Sequence, residues 1–267
     1  MSRTIRVMVL RAAGTNCDEE TAFAWSMVGA VPERIHINRV IARPAMLRDY
    51  QVLTIPGGFS YGDDVAAGRI FANQVVHHLA DELRAFVEAG KLILGICNGF
   101  QILVKAGLLP GPMNGPSAPP NGPRQPVTVT YNDSAKFEDR WVHLRVDTDR
   151  CVFLERGTVL ALPVAHGEGK VVAIDEATLN ALRDGGYVAV RYVDETGRPG
   201  PFPINPNGSQ DDIAGLTDRT GRVFGLMPHP ERHVHRTQHP CWTRRPADVE
   251  PDGLMVFRRA MRYLNTA

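Results

Sequence analysis

The stretch Lys91-Leu-Ile-Leu-Gly-Ile-Cys-Asn-Gly-Phe-Gln101 decides the fold. Its first residues, 91–95, form the short apolar run of a buried strand, and 98–106 has apolar residues at helical spacing. Gly95 and Gly99 lie two residues before and two residues after Cys97. A tight turn from strand to helix needs small residues there, because larger side chains clash where the backbone folds back. The pattern therefore predicts a strand, a sharp turn with a cysteine at its apex, and a helix.

The same alternation of strand and helix extends through the first hundred residues. Apolar runs at 5–10 and 52–55 predict two more strands, and amphipathic stretches at 18–29 and 69–88 predict two more helices. Such alternation indicates an α/β fold with an open, mostly parallel sheet and helices on both faces. Reactive groups in such sheets lie at the carboxyl ends of the strands, which is where Cys97 is expected.

The second half of the chain reads as further strands and two helices separated by loops. Strands are expected at 126–131, 141–146, 158–164, 170–174, 187–193 and 222–227, and helices at 176–183 and 253–264. Loops rich in Pro and Gly or Asn are expected near 110–126, 195–212 and 236–252. With no repeat and no shift in composition, residues 1–267 are predicted to form a single domain.

Composition and charge exclude several classes of protein. The chain has 267 residues, of which 43% are hydrophobic and 22% charged, so it is globular rather than disordered or fibrous. A net charge of +1 gives no general reason to bind nucleic acid or an anionic membrane. No apolar run approaches the roughly 18 residues that span a bilayer, and the start of the chain resembles a strand rather than a signal peptide. We therefore expect a cytoplasmic protein.

The four cysteines, Cys17, Cys97, Cys151 and Cys241, lie far apart and form no CxxC pair, which argues against a zinc site. A helix N-terminus favours the thiolate of Cys97, and the backbone N–H of Asn98 points towards any oxyanion that forms beside it. The sequence thus favours Cys97 as a nucleophile. The alternative is a buried cysteine at the end of a strand with two chance glycines.

A cysteine nucleophile needs a base, and two segments offer one. His166-Gly-Glu168 and His229-Pro-Glu231 each follow an apolar run and place a glutamate two residues after a histidine. In an extended segment these two side chains project to the same side, so either glutamate can orient its own histidine. Prolines on both sides of His229 restrict its backbone and favour it, although this reasoning leaves His166 open.

The histidines near the end of the chain also suggest a metal site. His229, His233, His235, His239 and Cys241 lie in one Pro- and Arg-rich segment, but without the spacing of a ligand pair. We therefore predict no metal.

A glycine-rich loop at Pro56-Gly57-Gly58 follows the predicted strand 52–55. If that strand lies beside the strand of Cys97, the backbone N–H of Gly58 can complete an oxyanion hole, although a plain turn is the simpler interpretation. Gln101 lies one helical turn after Cys97, so its amide lines the pocket or faces solvent.

Taken together, these segments resemble the glutaminase component of phosphoribosylformylglycinamidine synthase, a triad-type class I glutamine amidotransferase of purine biosynthesis. The matching strings are Gly14-Thr-Asn-Cys-Asp18, Pro56-Gly-Gly-Phe-Ser-Tyr-Gly-Asp63, Gly95-Ile-Cys-Asn-Gly-Phe-Gln101, Pro163-Val-Ala-His-Gly-Glu-Gly169, Asp212-Ile-Ala-Gly215 and Met227-Pro-His-Pro-Glu-Arg232. They occur in the family's order over nearly the whole chain.

The resemblance implies a flavodoxin-like fold and assigns roles to residues. The implied triad is Cys97, His229 and Glu231, and the implied oxyanion donors are Gly58 and Asn98. Three further residues, Phe59, Ser60 and Gln101, are expected to contact the substrate, while His166 and Glu168 are expected near the pocket or a partner subunit.

The resemblance also implies a reaction and partners. The chain is expected to hydrolyse glutamine to glutamate and ammonia and to pass the ammonia to a synthetase subunit that aminates formylglycinamide ribonucleotide. No cofactor is expected in this chain, because ATP and magnesium belong to the synthetase. A small bridging subunit is a further expected partner, although segments such as Asn205-Pro-Asn-Gly208 and His239-Pro-Cys-Trp242 resemble the glutaminase domain of the large single-chain synthase.

Two other functions fit the same residues. One is a stand-alone cysteine hydrolase on a related fold, such as a peptidase. The other is a non-catalytic subunit that only regulates the synthetase, against which the intact Cys97 turn and the His229-Pro-Glu231 segment argue.

Overall fold

A computed structural model describes residues 4–113 and 125–266 of the chain. The Pro- and Gly-rich loop predicted near 110–126 lies mostly outside the described residues. Within them, eleven strands and six α-helices alternate with short 3-10 helices. The strands are β1 (Arg6–Arg11), β2 (Val31–His36), β3 (Val52–Ile55), β4 (Leu92–Ile96), β5 (Val127–Tyr131), β6 (Glu138–Val146), β7 (Val159–His166), β8 (Glu168–Ala173), β9 (Val188–Val193), β10 (Ile213–Thr217) and β11 (Val223–Leu226). The helices are α1 (Asp18–Met27), α2 (Ile37–Ala42), α3 (Arg69–Glu88), α4 (Asn98–Lys105), α5 (Glu176–Asp184) and α6 (Asp252–Thr266).

Nine strands form one open sheet in the order β2-β1-β3-β4-β11-β10-β9-β6-β7. The first five of these strands are parallel to one another, and the remaining pairs in the order are antiparallel. The other two strands, β5 and β8, form a separate antiparallel ribbon. The prediction of an α/β fold is confirmed, and the parallel part of the sheet contains the Cys97 turn.

Helices cover both faces of the parallel part. The connection from β1 through α1 to β2 runs in one direction across the sheet, and the connection from β3 through α3 to β4 runs in the other. Because such crossovers are right-handed, α1 and α3 lie on opposite faces. In agreement, α1 packs against α6, where Trp25 and Phe257 meet edge to face with centroids 5.0 Å apart, and α3 packs against α4.

The strands at the centre of the sheet are buried at every residue. This holds for β3, β4 and β11, whose sequences are continuous apolar runs interrupted only by small or hydroxyl residues. Parallel strands covered by helices on both faces require such runs. The apolar runs therefore place the Cys97 turn and the segment after β11 in the middle of the sheet, next to each other.

Three elements are absent from the sequence-based prediction. The edge strand β2 has mixed polar and apolar residues that are mostly exposed or half-buried, so it shows no apolar run, and α2 has only six residues. The strand β10 is fully buried but only five residues long, and it contains Gly215. The predicted loops 195–212 and 236–252 contain short 3-10 helices at Gln210–Asp212, Arg236–Gln238 and Trp242–Arg244, and α6 begins at the last residue of the second loop, Asp252.

Membrane insertion through a helix has no support in the structure. Throughout the described ranges 4–113 and 125–266, no helix combines the length and the apolar character needed to cross a bilayer.

Candidate active site

Four neighbouring parallel strands end at the same edge of the sheet. The loops that follow β1, β3, β4 and β11 contain Cys17, Gly58, Cys97 and His229 respectively. The carboxyl ends of parallel strands therefore bring together segments that lie more than two hundred residues apart in the chain. Here the structure places the predicted nucleophile and the favoured base.

Cys97 occupies the apex of the turn between β4 and α4. Its φ of 50° and ψ of −106° lie outside the regions that a non-glycine residue normally adopts. The backbone N–H of Cys97 donates to the carbonyl of Leu226 at 2.8 Å, which fixes the turn against β11. Such strain costs about 1–3 kcal/mol and persists where surrounding structure enforces it, as it does at functional sites.

Gly95 and Gly99 are the residues that permit this turn. A Cβ atom on Gly99 would lie 1.9 Å from the carbonyl oxygen of Ile55, at the end of β3. A Cβ atom on Gly95 would lie 2.7 Å from the carbonyl oxygen of Gly99 and 2.5 Å from the side chain of Leu103. The backbone thus packs directly on backbone, which is why the sequence has glycine on both sides of Cys97.

Replacing Gly99 with alanine is expected to destabilise the protein by about 3 kcal/mol, because helix α4 must move away from β3 to admit a methyl group. The free energy of unfolding from urea titration measures this effect. Gly167→Ala is the matched control, because among the described residues nothing lies within 4 Å of its added Cβ atom. An equal loss in the two variants would show that the close packing of Gly99 is unimportant.

His229 follows β11, the strand next to the strand of Cys97. Leu226 is in register with Ile96, so Cys97 and His229 leave neighbouring strands at almost the same level. The backbone N–H of His229 donates to the carbonyl of Pro163 at 2.8 Å, and its ring Nδ1 lies 2.6 Å from Oε1 of Glu231. Both side chains are buried. The pattern of a histidine and a glutamate two residues later therefore forms a buried pair here, as predicted.

The charge of the His229 ring is set by its neighbours. Burial by itself lowers the pKa of His229, but the carboxylate of Glu231 and the nearby Cys97 favour the charged ring and together hold that pKa well above its ordinary value. Within residues 4–113 and 125–266, Nε2 of His229 has no hydrogen-bond partner. The ring thus has one nitrogen engaged by Glu231 and the other available for proton transfer.

The second His-x-Glu segment is arranged differently. Nδ1 of His166 contacts Oδ1 of Asn132 at 3.1 Å, whereas the Glu168 carboxylate accepts from the backbone N–H of Ala67 at 3.3 Å. Glu168 therefore orients the loop before α3 and not the ring of His166. The segment nevertheless borders the site, because the carbonyl of Ala165 lies 3.8 Å from Sγ of Cys97.

The predicted oxyanion donors, Gly58 and Asn98, lie in the segments that follow the neighbouring strands β3 and β4. Gly58 has a φ of 138°, and a Cβ atom there would lie 2.7 Å from the backbone nitrogen of Asn16, so only glycine fits. Asn98 begins α4, and its side-chain oxygen accepts from the hydroxyl of Ser60 at 2.7 Å. This bond ties the loop after β3 to the turn that carries Cys97.

Two of the three predicted substrate contacts are buried and one is not. Ser60 and Gln101 are inside the protein, where the Gln101 amide donates to the carbonyl of Glu168 at 2.5 Å and accepts from the Asn98 amide at 3.0 Å. Gln101 therefore joins α4 to β8, and its amide does not face solvent. Phe59 is 46% exposed and lies beside Phe137, with ring centroids 6.4 Å apart.

Sequence reasoning missed the position of Cys17 beside the base. A Cβ atom on Gly57 would lie 3.2 Å from Sγ of Cys17 and 2.8 Å from Cε1 of His229, so the thiol and the ring flank the same glycine. Arg232 donates to Sγ of Cys17 at 3.2 Å and to Glu20 at 2.9 Å. The four cysteines are all free thiols, and three of them, including Cys17, are buried.

These side chains also include a set of metal-ligand types. The candidate ligand atoms of Cys17, Glu20, His229 and Glu231 all lie within 4.8 Å of one another. Cysteine, histidine and carboxylate are ligands that zinc accepts, but the guanidinium of Arg232 already places a positive charge among them. This set differs from the group of histidines near the end of the chain that the sequence suggested as metal ligands. His233, a member of that group, has its ring Nδ1 2.9 Å from the carbonyl oxygen of Ala161.

The cysteine turn, the buried histidine–glutamate pair and the α/β sheet form the arrangement that the resemblance to glutamine amidotransferases implied. Residues 4–264 match the family model described as a CobB/CobQ-like glutamine amidotransferase domain. The PurQ subunit of phosphoribosylformylglycinamidine synthase from Dehalococcoides mccartyi is 46% identical over 261 residues, which cover 97% of each chain. The PurQ subunit from Methanococcus maripaludis is 40% identical over 272 residues, again 97% of each chain.

A solved structure also contains a chain that is similar to this one. A chain in the structure of PurLQS from Thermotoga maritima superposes with a TM-score of 0.72 at 33% identity, covering 98% of this chain and 100% of that one. The chain described here belongs to the family of PurQ subunits, the glutamine amidotransferase subunits of phosphoribosylformylglycinamidine synthase in purine biosynthesis.

Proposed function

We propose that Cys97, His229 and Glu231 form the catalytic triad of the glutaminase reaction. The observation that carries this assignment is the placement of Cys97 and the buried His229–Glu231 pair at the ends of adjacent parallel strands. The strained turn presents the sulfur, and the neighbouring Cys97 and Glu231 favour the charged form of the His229 ring, which can then donate a proton.

The reaction divides into two steps. The Cys97 thiolate attacks the side-chain amide carbon of glutamine, and the tetrahedral oxyanion receives hydrogen bonds from the backbone N–H groups of Gly58 and Asn98, each worth about 3 kcal/mol in such sites. His229 gives its proton to the amide nitrogen as ammonia leaves and a thioester forms. His229 then takes a proton from water, which attacks the thioester and releases glutamate, while Glu231 keeps the ring oriented.

The ammonia is passed to a synthetase subunit, where ATP and magnesium bind and formylglycinamide ribonucleotide is aminated. Free ammonia in water is protonated and loses its nucleophilic lone pair, so direct transfer between subunits preserves its reactivity. The occurrence of a related chain in the structure of PurLQS supports such a complex. A small bridging subunit is a further proposed component. Four free thiols are typical of a reducing compartment and support a cytoplasmic location.

Contact with the synthetase is expected to accelerate the glutaminase. The test is the rate of glutamate release from glutamine, measured for this chain alone and with the synthetase subunit of the same organism. We expect slow release by the isolated chain and faster release once the complex forms with ATP and formylglycinamide ribonucleotide. Equal rates with and without the synthetase would contradict the proposed coupling. Failure to release glutamate from glutamine under either condition would indicate a hydrolase of another specificity.

A further inference from the structure

His166 is a buried histidine for which the triad provides no role. It is the last residue of β7, directly after Ala165, whose carbonyl lies 3.8 Å from Sγ of Cys97. Its ring lies over Gly169, where a Cβ atom would approach Cε1 to 2.3 Å. The side chain is therefore held in one position by the backbone of β8.

The amide of Asn132 fixes which nitrogen of this ring carries the proton. The Asn132 Nδ2 group donates to the carbonyls of Lys136 and His166, both at 2.8 Å, so the other side-chain atom must be the oxygen. That oxygen accepts from the backbone N–H of Gly169 at 3.0 Å and lies 3.1 Å from Nδ1 of His166. An oxygen acceptor requires a donor opposite it, so Nδ1 carries the hydrogen.

In the neutral ring, Nε2 then has a bare lone pair. This atom is buried, and the described part of the chain offers it no hydrogen-bond partner. A buried acceptor without a donor is costly and rare in proteins, so the arrangement indicates a ligand that supplies one. The ligand must donate through an N–H or O–H group.

The ring stays neutral near pH 7. Burial lowers the pKa of His166 to about 4, and the positive charge of nearby His229 contributes to this shift. A neutral ring accepts hydrogen bonds through Nε2, whereas a protonated ring would donate and would repel the charged His229.

The substrate brings the donor that this site lacks. The predicted oxyanion groups at Gly58 and Asn98 are backbone donors, which suit the amide oxygen of glutamine and not its nitrogen. The amide nitrogen carries two N–H groups, and ammonia carries three. Next to Cys97, the structure offers such groups the carbonyl of Ala165, and the residue that follows it, His166, has an Nε2 without a partner among the described residues.

We propose that Nε2 of His166 accepts a hydrogen bond from the side-chain amide nitrogen of glutamine and holds the ammonia as it leaves. His166 is thus a residue that recognises the leaving group, in addition to the triad. This inference rests on the proposed function of the chain as a glutaminase and specifies how the site distinguishes an amide nitrogen from an oxygen. Because a neutral acceptor supplies no proton, it also leaves the lone pair of ammonia free.

The test compares two reactions of Cys97, only one of which involves an amide nitrogen. The first is glutamine hydrolysis, followed by glutamate release. The second is alkylation by a chloroketone analogue of glutamine, in which a carbon–sulfur bond forms and chloride leaves. Two substitutions are compared: His166→Leu removes the acceptor but keeps a side chain of similar size, and His166→Gln keeps an acceptor oxygen.

We expect His166→Leu to lower kcat/KM for glutamine about 30-fold, as expected for a lost hydrogen bond in a buried site. The alkylation rate should stay within about twofold, since the analogue has no N–H at this position. His166→Gln should recover most of the lost activity, and His77→Leu, on the exposed side of α3, serves as a neutral control. Glutamine turnover unchanged in His166→Leu, or a parallel fall in both reactions, would overturn the proposal.

A measurement on the unsubstituted protein does not depend on how the variants fold. Nitrogen-15 NMR of the histidine rings is expected to show the His166 proton on Nδ1, and a proton on Nε2 would overturn the proposal. Failure of the underlying glutaminase assignment has a different signature: the unsubstituted protein would neither release glutamate in the complex nor be alkylated at Cys97.

Discussion

Replacement of Cys97 by alanine is expected to reduce glutamate release from glutamine by about 1,000-fold or more, because no thioester can form without the sulfur. The synthetase complex that contains this variant should still use added ammonia, because the substitution leaves the synthetase intact. The pair of measurements is therefore glutamate release and product formation from glutamine or from ammonium salts. A loss confined to the glutamine-dependent reaction assigns Cys97 to glutamine hydrolysis.

Two other cysteines serve as controls for this variant. Cys241 is exposed, so Cys241→Ala should leave the rate unchanged. Cys17 is buried beside His229 without occupying a strand-to-helix turn, so Cys17→Ala should reduce the rate far less than Cys97→Ala. If the complex with Cys97→Ala used glutamine normally, the chain would be a regulatory subunit. If Cys17→Ala caused the larger loss, the nucleophile would be misassigned.

His229→Ala is expected to have an effect of similar size, about 1,000-fold on glutamate release, because the triad residues act as a unit. Glu231→Gln should also be severely impaired, because a neutral amide cannot balance the positive charge of the buried ring. Steady-state glutaminase rates in the presence of the synthetase measure both effects.

His77→Ala, on the exposed side of α3, controls for histidine removal as such. His166→Ala should cost clearly less than His229→Ala, since the Glu168 carboxylate does not orient the ring of His166. The reverse order of the two losses would contradict the assignment of His229 as the base, and it would require His166 to take that role.

The sequence was sufficient to predict the part of the fold that forms the site. The buried runs of β3, β4 and β11 are strong signals because helices on both faces exclude polar side chains. The turn was also predictable from Gly95 and Gly99, because a Cβ atom on either residue would lie less than 3 Å from a backbone atom. Predictions based on local steric requirements were therefore reliable.

Contacts between distant segments were not predictable in the same way. Asn132 lies in the turn after the ribbon strand β5, and nothing in its local sequence indicates that it fixes the ring of His166. The approach of Cys17 to His229 depends on how the loops after β1 and β11 cross the edge of the sheet. Both features arise from tertiary packing, to which hydrophobic periodicity is insensitive.

The pairing of β4 with β11 determines how the Cys97 turn and the His229 segment are held in the isolated subunit. The backbone ladder of these two strands, with Ile93 to Ile96 in register with Val223 to Leu226, sets the separation of the segments that follow them. Moving the Cys97 turn away from the His229 segment would break the backbone pairing of two buried strands, which costs more free energy than shifting a surface loop. The isolated subunit should therefore keep the Cys97 turn and the His229 segment side by side. Thiol-directed inhibitors designed against the working complex would then also react with the unassembled subunit.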